Sequence, residues 1–377
     1  MENARQIKGQ EIANKQDAIT RIDENHYTVK SQTVNLDYDV VATESGWKCT
    51  CPDHTYRKVC CKHIHAVEVS IELRKEIEKT IIIEPVKVDS CPKCKSNNVV
   101  KHGIRHNRNY DIQRLSCKDC SFRFSINLGF ERMKASPQII TSAMQLYFSG
   151  ESFRNVQKFL RLQGIEVNHK TIYNWVKRYV SLMEKYLEDI VPKVGDVWRA
   201  DELYVRIKGK PNYIYALMDD DTRFWLAKQV SEKKYTEDVK PMFKDAMGAA
   251  QKRPRVMITD GAKNFMEASK VFYTNEKPRT VHIRHIHIRG DMNNNKMERL
   301  NGEIRDREKV MRGIKRDDSP VISGYQIYHN YIRPHMALEG QTPADKAGID
   351  IKGENRWITL IQNASIKKQT FVRSERE

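Results

Sequence analysis

The chain has 377 residues, 39% hydrophobic and 31% charged, and 66 Lys and Arg against 49 Asp and Glu give a net charge of +17. This length predicts two or three domains, and the basic excess favours a polyanionic partner, nucleic acid before a membrane. No apolar run approaches the roughly 18 residues that a membrane-spanning helix needs, and the N-terminus lacks the apolar segment of a secretory signal. We therefore expect a cytoplasmic protein without a membrane partner.

The N-terminal region, residues 1–80, begins with strand-like sequence and then gathers thiols and imidazoles. In a cytoplasmic protein, closely spaced cysteines are better explained as metal ligands than as disulfides. Three thiolates and one imidazole, spaced as CxC and CxH, are a tetrahedral set that zinc accepts. The spacing resembles the SWIM zinc finger, which implies a structural zinc ion held by Cys49, Cys51, Cys61 and His63. The extra thiol of Cys60 and the nearby His54 and His65 leave the register of this cluster open.

Residues 81–130 open with a segment, residues 81–90, that we interpret as a linker. Two CxxC pairs follow, separated by 22 residues that suit a β-hairpin. This pattern resembles a zinc ribbon, in which two tight turns aim four sulfurs at one ion. A redox dithiol is the alternative for one CxxC pair but not for two at this spacing. Four thiolates leave no open coordination position, so we expect a structural zinc ion on Cys91, Cys94, Cys117 and Cys120.

Residues 131–190 predict three helices. Ser136 before Pro137 is typical of a helix start, and Gly150 and Gly164 fit helix ends. The last two helices resemble a helix-turn-helix, with an ordinary helical bundle as the alternative. On the expected recognition helix, the core-facing residues are Ile172, Trp175, Val176 and Tyr179. The residues expected to face a DNA groove and its phosphates are Lys170, Asn174, Lys177 and Arg178.

Residues 191–348 alternate between strand-like and helix-like sequence, and acids stand at the ends of the strands. Asp201 follows an apolar run, a hairpin turns at Asp219–Asp221, and Asp260 ends a buried strand before a helix. Three antiparallel strands followed by alternating helices and strands predict an RNase H-like domain, a mixed sheet flanked by helices. The Asp219–Asp221 run offers rival acids, although we interpret it as a hydrated hairpin turn.

A helix dense in Arg and Lys carries a third acid, Glu298. On a helical wheel the apolar residues share one arc that must face the core, formed by Met297, Leu300, Ile304, Met311 and Ile314. Glu298 lies away from that arc, on the same face as three cations, Arg305, Lys309 and Arg312. Glu303 and Glu308 flank the core arc instead. Because Gly302, one turn further along, cannot form an ion pair with Glu298, we expect a functional acid on a phosphate-binding face.

These acids and the surrounding sequence resemble the DDE transposases of prokaryotic, and in particular archaeal, insertion sequences. The resemblance spans residues 85–348, and its most specific parts are "ITDGAKNF", the Glu298 helix and "YIRPHMALEGQTPADKAG". It implies that Asp201, Asp260 and Glu298 are catalytic and hold two Mg²⁺ or Mn²⁺ ions, with Asp201 shared between both. It also implies cleavage at the ends of a transposable element, followed by attack of the freed 3′-hydroxyl on target DNA.

The expected partners are the terminal inverted repeats and target DNA, and the joining of two ends favours a homodimer or larger assembly in the nucleoid. A domesticated DNA-binding regulator without catalysis and another RNase H-like nuclease, such as a resolvase, are the alternatives. We interpret His282, His285 and His287 as lying on a half-exposed strand, with phosphate contact as the alternative.

The expected architecture is a multidomain α/β protein in which small zinc-binding β modules and a helical domain precede the catalytic domain. Its predicted segments are a SWIM-type region (1–80), a zinc ribbon (81–130), a helix-turn-helix region (131–190), a DDE domain (191–348) and a polar C-terminal tail (349–377).

Overall fold

The computed structural model describes residues 4–374 apart from 14, 16–17, 23–24, 33, 35, 44–45, 79, 87–89, 92, 107–109, 126–127, 273–278, 285–294 and 312–319. The chain divides into two compact units, Met1–Thr80 and Ile81–Glu377. Within the described ranges, no helix combines the length and apolar character needed to cross a membrane.

The N-terminal unit combines a four-stranded antiparallel sheet with helices. Its elements are α1 (Ala4–Ala13), β1 (Ile19–Arg21), β2 (His26–Lys30), β3 (Asp37–Thr43), β4 (Gly46–Cys49), α2 (Pro52–Arg57) and α3 (Lys62–Glu78). The strands pair in the order β1-β2-β3-β4. Alternating burial along β2 places Tyr27 and Val29 in a small core that also contains Val40 and Ile64. The metal-type cysteines lie at one side of this core, after β4 and before α3.

The second unit begins with a short strand, a three-stranded sheet and three helices. These are β5 (Ile81–Ile83), β6 (Val99–His106), β7 (Asp111–Cys117), β8 (Arg123–Ser125), α4 (Pro137–Ser149), α5 (Phe153–Leu162) and α6 (His169–Leu187). The predicted hairpin between the CxxC pairs is β6–β7, and the three predicted helices are confirmed. Each helix starts at a side chain that accepts a backbone N–H, and the caps are Ser136, Ser152 and Asn168.

The remaining elements form the largest sheet and its covering helices. They are β9 (Val197–Ile207), β10 (Lys210–Asp219), β11 (Trp225–Ser231), α7 (Thr236–Ala250), β12 (Val256–Thr259), α8 (Lys263–Ala268), β13 (Val281–Arg284), α9 (Asn295–Met311), α10 (Pro320–Ile327), α11 (Pro343–Lys346), β14 (Ile349–Ile351) and α12 (Arg356–Ser374). Short 3₁₀ segments at Ser269–Phe272 and Met336–Leu338 and a π turn at Tyr328–Ile332 complete them.

The large sheet has the strand order β11-β10-β9-β12-β13. Strands β9, β10 and β11 are antiparallel, whereas β12 and β13 run parallel to β9. A two-residue turn joins β9 to β10, and its residues Lys208 and Gly209 both have the positive φ that such tight hairpins require. Three antiparallel strands followed by crossover-connected parallel strands confirm the predicted RNase H-like arrangement of a mixed sheet flanked by helices.

Two segments differ from their predictions. Ile81–Ile83, interpreted as part of a linker, pairs in parallel with β14 and has Ile83 buried. Residues 349–377, expected to be a polar tail, contain β14 and the long helix α12, whose Trp357, Leu360 and Ile361 belong to the main core. The two ends of the second unit therefore close on each other through β5 and β14.

Candidate functional site

Asp201 and Asp260 lie at the same level of two neighbouring strands of the large sheet. Strand β12 pairs in parallel with β9 so that Ile258 lies opposite Arg199. Asp260 and Asp201 each lie two residues beyond that pair, and successive odd or even residues of a strand share a face. The register therefore brings the two carboxylates to the same level and to one side of the sheet, with Asp201 in the middle of β9 and Asp260 just past the end of β12.

The helix α9 brings Glu298 to the same side of the sheet. Two hydrogen bonds join α9 to β9. The side-chain amide of Asn301 donates to Asp201 Oδ2 at 2.8 Å, and the backbone N–H of Arg206 donates to Glu308 Oε1 at 2.9 Å. Met297, Leu300 and Ile304 are buried against the core, as the wheel predicts. Glu298 is exposed in the first turn of α9, on the far side from these apolar residues. The side chain of Met311, and Ile314, lie outside the described residues.

The charges of Asp260 and Glu298 act on the Asp201 carboxylate. Burial, and after it the negative charges of Asp260, Glu202 and Glu298, raise the pKa of Asp201 to about 7, against the opposing effect of a hydrogen bond from the Glu202 N–H. This N–H donates to Asp201 Oδ1 at 2.9 Å, and the Ala262 N–H donates to Asp260 Oδ1 at 2.9 Å. Neighbouring carboxylates of this kind favour the binding of a cation between them.

The three carboxylates do not form a tight cluster in this structure. The described groups whose potential ligand atoms all lie within 4.8 Å of one another are built around cysteines, and the set of Asp201, Asp260 and Glu298 is not among them. The acids thus interact through their charges over longer distances than the ligands of a preformed metal cage.

The rival acids of the β10–β11 turn are structural. Asp219 is fully buried, and it accepts hydrogen bonds from the N–H and the hydroxyl of Thr222. Asp220 pairs with the buried Arg199 and also accepts from Lys296 Nζ at 2.8 Å. The interpretation of this run as a hydrated turn is wrong for both residues, because Asp219 is buried against Thr222 of the same turn and Asp220 binds Arg199 on β9 and Lys296 on α9.

Lys296 therefore ties the first turn of α9 to the sheet. Its Nζ also donates to the backbone oxygen of Asp220 at 3.0 Å. Glu298 lies between this contact and the Asn301–Asp201 hydrogen bond, so two polar anchors flank the turn that carries it. Neither contact was predicted from the sequence. Asn301 could have been recognised, because it is a polar residue one turn after Met297 on the apolar stripe of the helix. It is 5% exposed in the structure.

The first cysteine cluster is assembled as its spacing suggests. Cys49 ends β4, Cys51 caps α2, and Cys61 and His63 flank the start of α3. His63 Nδ1 lies 3.9 Å from Cys49 Sγ and 4.0 Å from Cys61 Sγ, and all four ligand atoms lie within 4.8 Å of one another. A hydrogen bond from the Cys49 thiol lowers the pKa of Cys61 to about 3, which favours a thiolate inside the cluster. His54 binds the Val59 carbonyl at 2.8 Å and is not part of this group.

The second cluster joins the two CxxC turns. Cys91 Sγ lies 3.5 Å from Cys120 Sγ, and Cys94 Sγ lies 3.5 Å from Cys117 Sγ. Tetrahedral zinc with bonds of about 2.3 Å to sulfur separates its sulfurs by roughly 3.8 Å, so the cluster is close to a zinc-sized cage. Lys95 and Ser121, each directly after the second cysteine of a pair, have positive φ values of 62° and 56° that close the two turns.

The predicted DNA-facing residues are exposed where the structure describes them. On α6 the residues Ile172, Trp175, Val176 and Tyr179 are buried. The residues Lys170, Asn174, Lys177 and Arg178 are exposed. On α9 both Arg305 and Lys309 are exposed, Lys309 beside Asp306 at 3.1 Å, whereas Arg312 lies outside the described residues.

Unlike Arg305 and Lys309, Arg307 of α9 is buried. Arg307 is 5% exposed, its guanidinium lies 4.7 Å from the centre of the Tyr147 ring, and its Nη2 donates to the Glu151 carbonyl at 3.5 Å. It therefore connects α9 to the helical region around α4. His282 is half-buried on β13, where its Nε2 lies 2.9 Å from Thr259 Oγ1, while His285 and His287 lie outside the described residues.

Two family profiles match this chain: the DDE domain at residues 195–335 and the SWIM zinc finger at residues 34–72. Similar curated proteins are the transposase for insertion sequence-like element IS431mec of Staphylococcus aureus strain N315 and the transposase for insertion sequence element IS257 in transposon Tn4003 of Staphylococcus aureus. Each is 31% identical over 137 residues, which are 35% of this chain and 59% of the relative. The chain thus spans well under two thirds of the length of these relatives.

Among solved structures, the integrase catalytic core domain of HTLV-2 is 14% identical, with a TM-score of 0.30 over 42% of this chain and 98% of that chain. A simian T-cell lymphotropic virus intasome is 12% identical, with a TM-score of 0.29 over 41% of this chain and 55% of that chain. TM-scores this low do not support a fold assignment, which rests on the strand order alone. Through residues 195–335 the chain is related to DDE-type insertion-sequence transposases, and in residues 34–72 it carries a SWIM zinc finger.

Proposed function

We propose that the protein is a DNA transposase that cleaves at the ends of a transposable element and joins the freed 3′-hydroxyl to target DNA. The observation that carries the proposal is the convergence of Asp201, Asp260 and Glu298, from two neighbouring strands and one helix, inside the region matched by the DDE domain. The related transposases support the same reaction class.

The three acids suit divalent cations. Carboxylate oxygens are the ligands that Mg²⁺ and Mn²⁺ prefer. The raised pKa of Asp201, caused first by burial and then by the charges of Asp260, Glu202 and Glu298, supports a place for added positive charge beside it. When bound, two such ions would stabilise the attacking and the leaving oxygen of an in-line phosphoryl displacement. In our assignment Asp201 would serve both ions, Asp260 one of them and Glu298 the other.

The protein's own groups position these acids. Asn301 orients Asp201 through its 2.8 Å hydrogen bond, and Lys296 fixes the start of α9 against Asp220. The exposed Arg305 and Lys309 continue along α9 from Glu298, Arg305 being about 10 Å further along the helix axis. We assign them to the DNA backbone, since cations spaced along a helix neutralise successive phosphates.

In the first step of the proposed reaction, water breaks one phosphodiester bond at the element's end and leaves a 3′-hydroxyl. In the second, the oxygen of that hydroxyl forms a bond to a target phosphorus, and the bond from that phosphorus to the target's own 3′ oxygen breaks. The second step exchanges one phosphodiester for another and needs no external energy source. Two ends must be joined, so we propose that at least two chains act together.

Zinc completes the proposal in a structural role. We assign one ion to the SWIM cluster and one to the ribbon, because both groups offer four ligand atoms and leave no open position. The exposed face of α6, with Lys170, Asn174, Lys177 and Arg178, is assigned to recognition of the element's ends.

The test is a strand-transfer assay with the full chain, Mg²⁺, a plasmid target and labelled DNA carrying the inverted repeats that flank the gene. We expect the wild-type protein to join the label to the plasmid and Asp260→Asn to bind the ends without joining them. Joining by Asp260→Asn would show that the acids are misassigned. End binding by the wild-type protein without cleavage would favour a DNA-binding regulator, and cleavage without joining would favour a nuclease.

A further inference from the structure

The N-terminal unit contains a second group of metal-type ligands beside the SWIM cluster. Cys60 Sγ lies 3.8 Å from His65 Nδ1, and His65 Nδ1 lies 3.2 Å from Glu68 Oε2. All three potential ligand atoms lie within 4.8 Å of one another. Neither the SWIM cluster nor the acids of the DDE domain include any of these residues.

This group faces away from the SWIM cluster. Cys61, directly after Cys60, and His63, two residues before His65, are buried, and both belong to the ligand group of Cys49. Cys60 is exposed and His65 is half-buried. The unit thus carries two sets of ligands, one buried and one at its surface.

The surface set is held in place by the fold. His65 and Glu68 are three residues apart on α3, the spacing at which helical side chains meet. Helix α1 crosses α3 closely at Gly9, which is buried and leaves room only for a hydrogen: a Cβ there would lie 2.6 Å from His65 Cβ. This close approach fixes the His65 Cβ against α1, and the His65 imidazole lies 3.2 Å from the Glu68 carboxylate.

A thiolate, an imidazole and a carboxylate are the three ligand types that proteins offer to zinc, and together they balance its two positive charges. Bonds of about 2.0–2.3 Å in a tetrahedron place such ligand atoms roughly 3.3–3.8 Å apart, and the observed 3.8 Å and 3.2 Å lie near that range. Three protein ligands at a surface leave the fourth position to solvent.

We propose that Cys60, His65 and Glu68 form a third zinc site, with one coordination position open to water or to an incoming ligand. Its ion exchanges with free zinc, whereas the ions of the two four-ligand clusters do not. The proposal concerns the N-terminal unit alone and does not depend on the proposed transposase activity.

Zinc stoichiometry of the full-length protein tests the proposal. After equilibrium dialysis against micromolar zinc, we expect three zinc ions per wild-type chain and two after a brief exposure to a weak chelating dye. Cys60→Ser and Glu68→Gln are expected to bind two ions in both conditions. Glu11→Gln, which removes an exposed carboxylate from α1 of the same unit, is the matched control and is expected to bind three.

Cobalt provides an independent readout, because Co²⁺ bound to a thiolate absorbs in the near ultraviolet. Added to protein with both clusters loaded with zinc, Co²⁺ is expected to give this band in the wild-type protein and in Glu11→Gln but not in Cys60→Ser. Two zinc ions in the wild-type protein and no cobalt band would overturn the proposal and leave His65 and Glu68 as a simple ion pair. Loss of a tightly held zinc ion and unfolding of the unit in Cys60→Ser would also overturn it, by placing Cys60 in the SWIM cluster.

Discussion

Replacing Asp201 by Asn should stabilise the protein in the absence of divalent cations while it abolishes strand transfer. In the folded protein burial, and after it the neighbouring negative charges, raise the pKa of the Asp201 carboxylate from 3.8 to about 7. One pKa unit corresponds to about 1.4 kcal/mol, so the full penalty of charging this group on folding has a ceiling of about 4 kcal/mol. Partial exposure to solvent screens the charges and reduces this figure to roughly 2–3 kcal/mol.

The Asp201→Asn variant also loses part of the hydrogen bonding at this position. Asp201 accepts two hydrogen bonds, from the Glu202 N–H at 2.9 Å and from Asn301 Nδ2 at 2.8 Å. The amide of Asp201→Asn has one accepting oxygen and an NH₂ that faces the other donor, which costs about 1 kcal/mol. The net gain is about 1–2 kcal/mol, or a Tm increase of about 2–3 °C for a unit of roughly 300 residues.

The sign of the pH dependence follows from the raised pKa. The folded state holds the Asp201 proton more tightly than the unfolded state, so this group lowers stability as pH rises from about 4 to about 7 and by a constant amount above that. The Tm advantage of Asp201→Asn is therefore expected at about pH 8 and should shrink toward pH 4. Added Mg²⁺ should raise the Tm of the wild-type protein and leave that of the variant unchanged.

The assay is thermal unfolding followed by calorimetry, with no chelator present so that the zinc clusters stay loaded. A variant that melts below the wild-type protein at pH 8, or a Tm difference that does not change with pH, would refute the reasoning about the acid cluster.

Four further variants test other parts of the proposed site and fold. Lys296→Met removes the anchor of α9 on Asp220 and should slow strand transfer by about tenfold to a hundredfold, with end binding unchanged in an anisotropy titration. Arg305→Gln should reduce the salt dependence of DNA binding by about one unit of log–log slope, whereas Arg307→Met should leave that slope unchanged and destabilise the fold by about 1–2 kcal/mol, since Arg307 lies on the Tyr147 ring. Cys117→Ser should remove one of the two tightly bound zinc ions, which metal analysis of the purified protein measures.

The features that sequence could predict are those with a local signal. Apolar runs on either side of Asp219–Asp221 define the β10–β11 hairpin, and the apolar stripe through Met297, Leu300 and Ile304 orients α9. Helical geometry then places Glu298 on the opposite face. Metal ligands likewise have fixed spacings, because tight turns and helix starts bring neighbouring residues together.

The features that sequence missed depend on contacts between distant residues. Asp220 looks like an exposed turn residue until Arg199 and Lys296 are seen to bind it from β9 and α9. The strand Ile81–Ile83 has a partner only at the other end of its unit. In α12 the buried Trp357, Leu360, Ile361 and Ala364 have helical spacing, so the sequence did contain a signal against a polar tail.

The central claim, that Glu298 is a catalytic acid rather than one more charge on a basic helix, is tested most directly by two substitutions on α9. Glu298→Gln and Glu308→Gln each remove one negative charge from the same helix, and the amide at residue 308 can still accept the Arg206 N–H. In the strand-transfer assay with Mg²⁺, the account predicts that Glu298→Gln binds the element's ends but joins none, while Glu308→Gln joins them at close to the wild-type rate. Joining by Glu298→Gln at the rate of Glu308→Gln would contradict it.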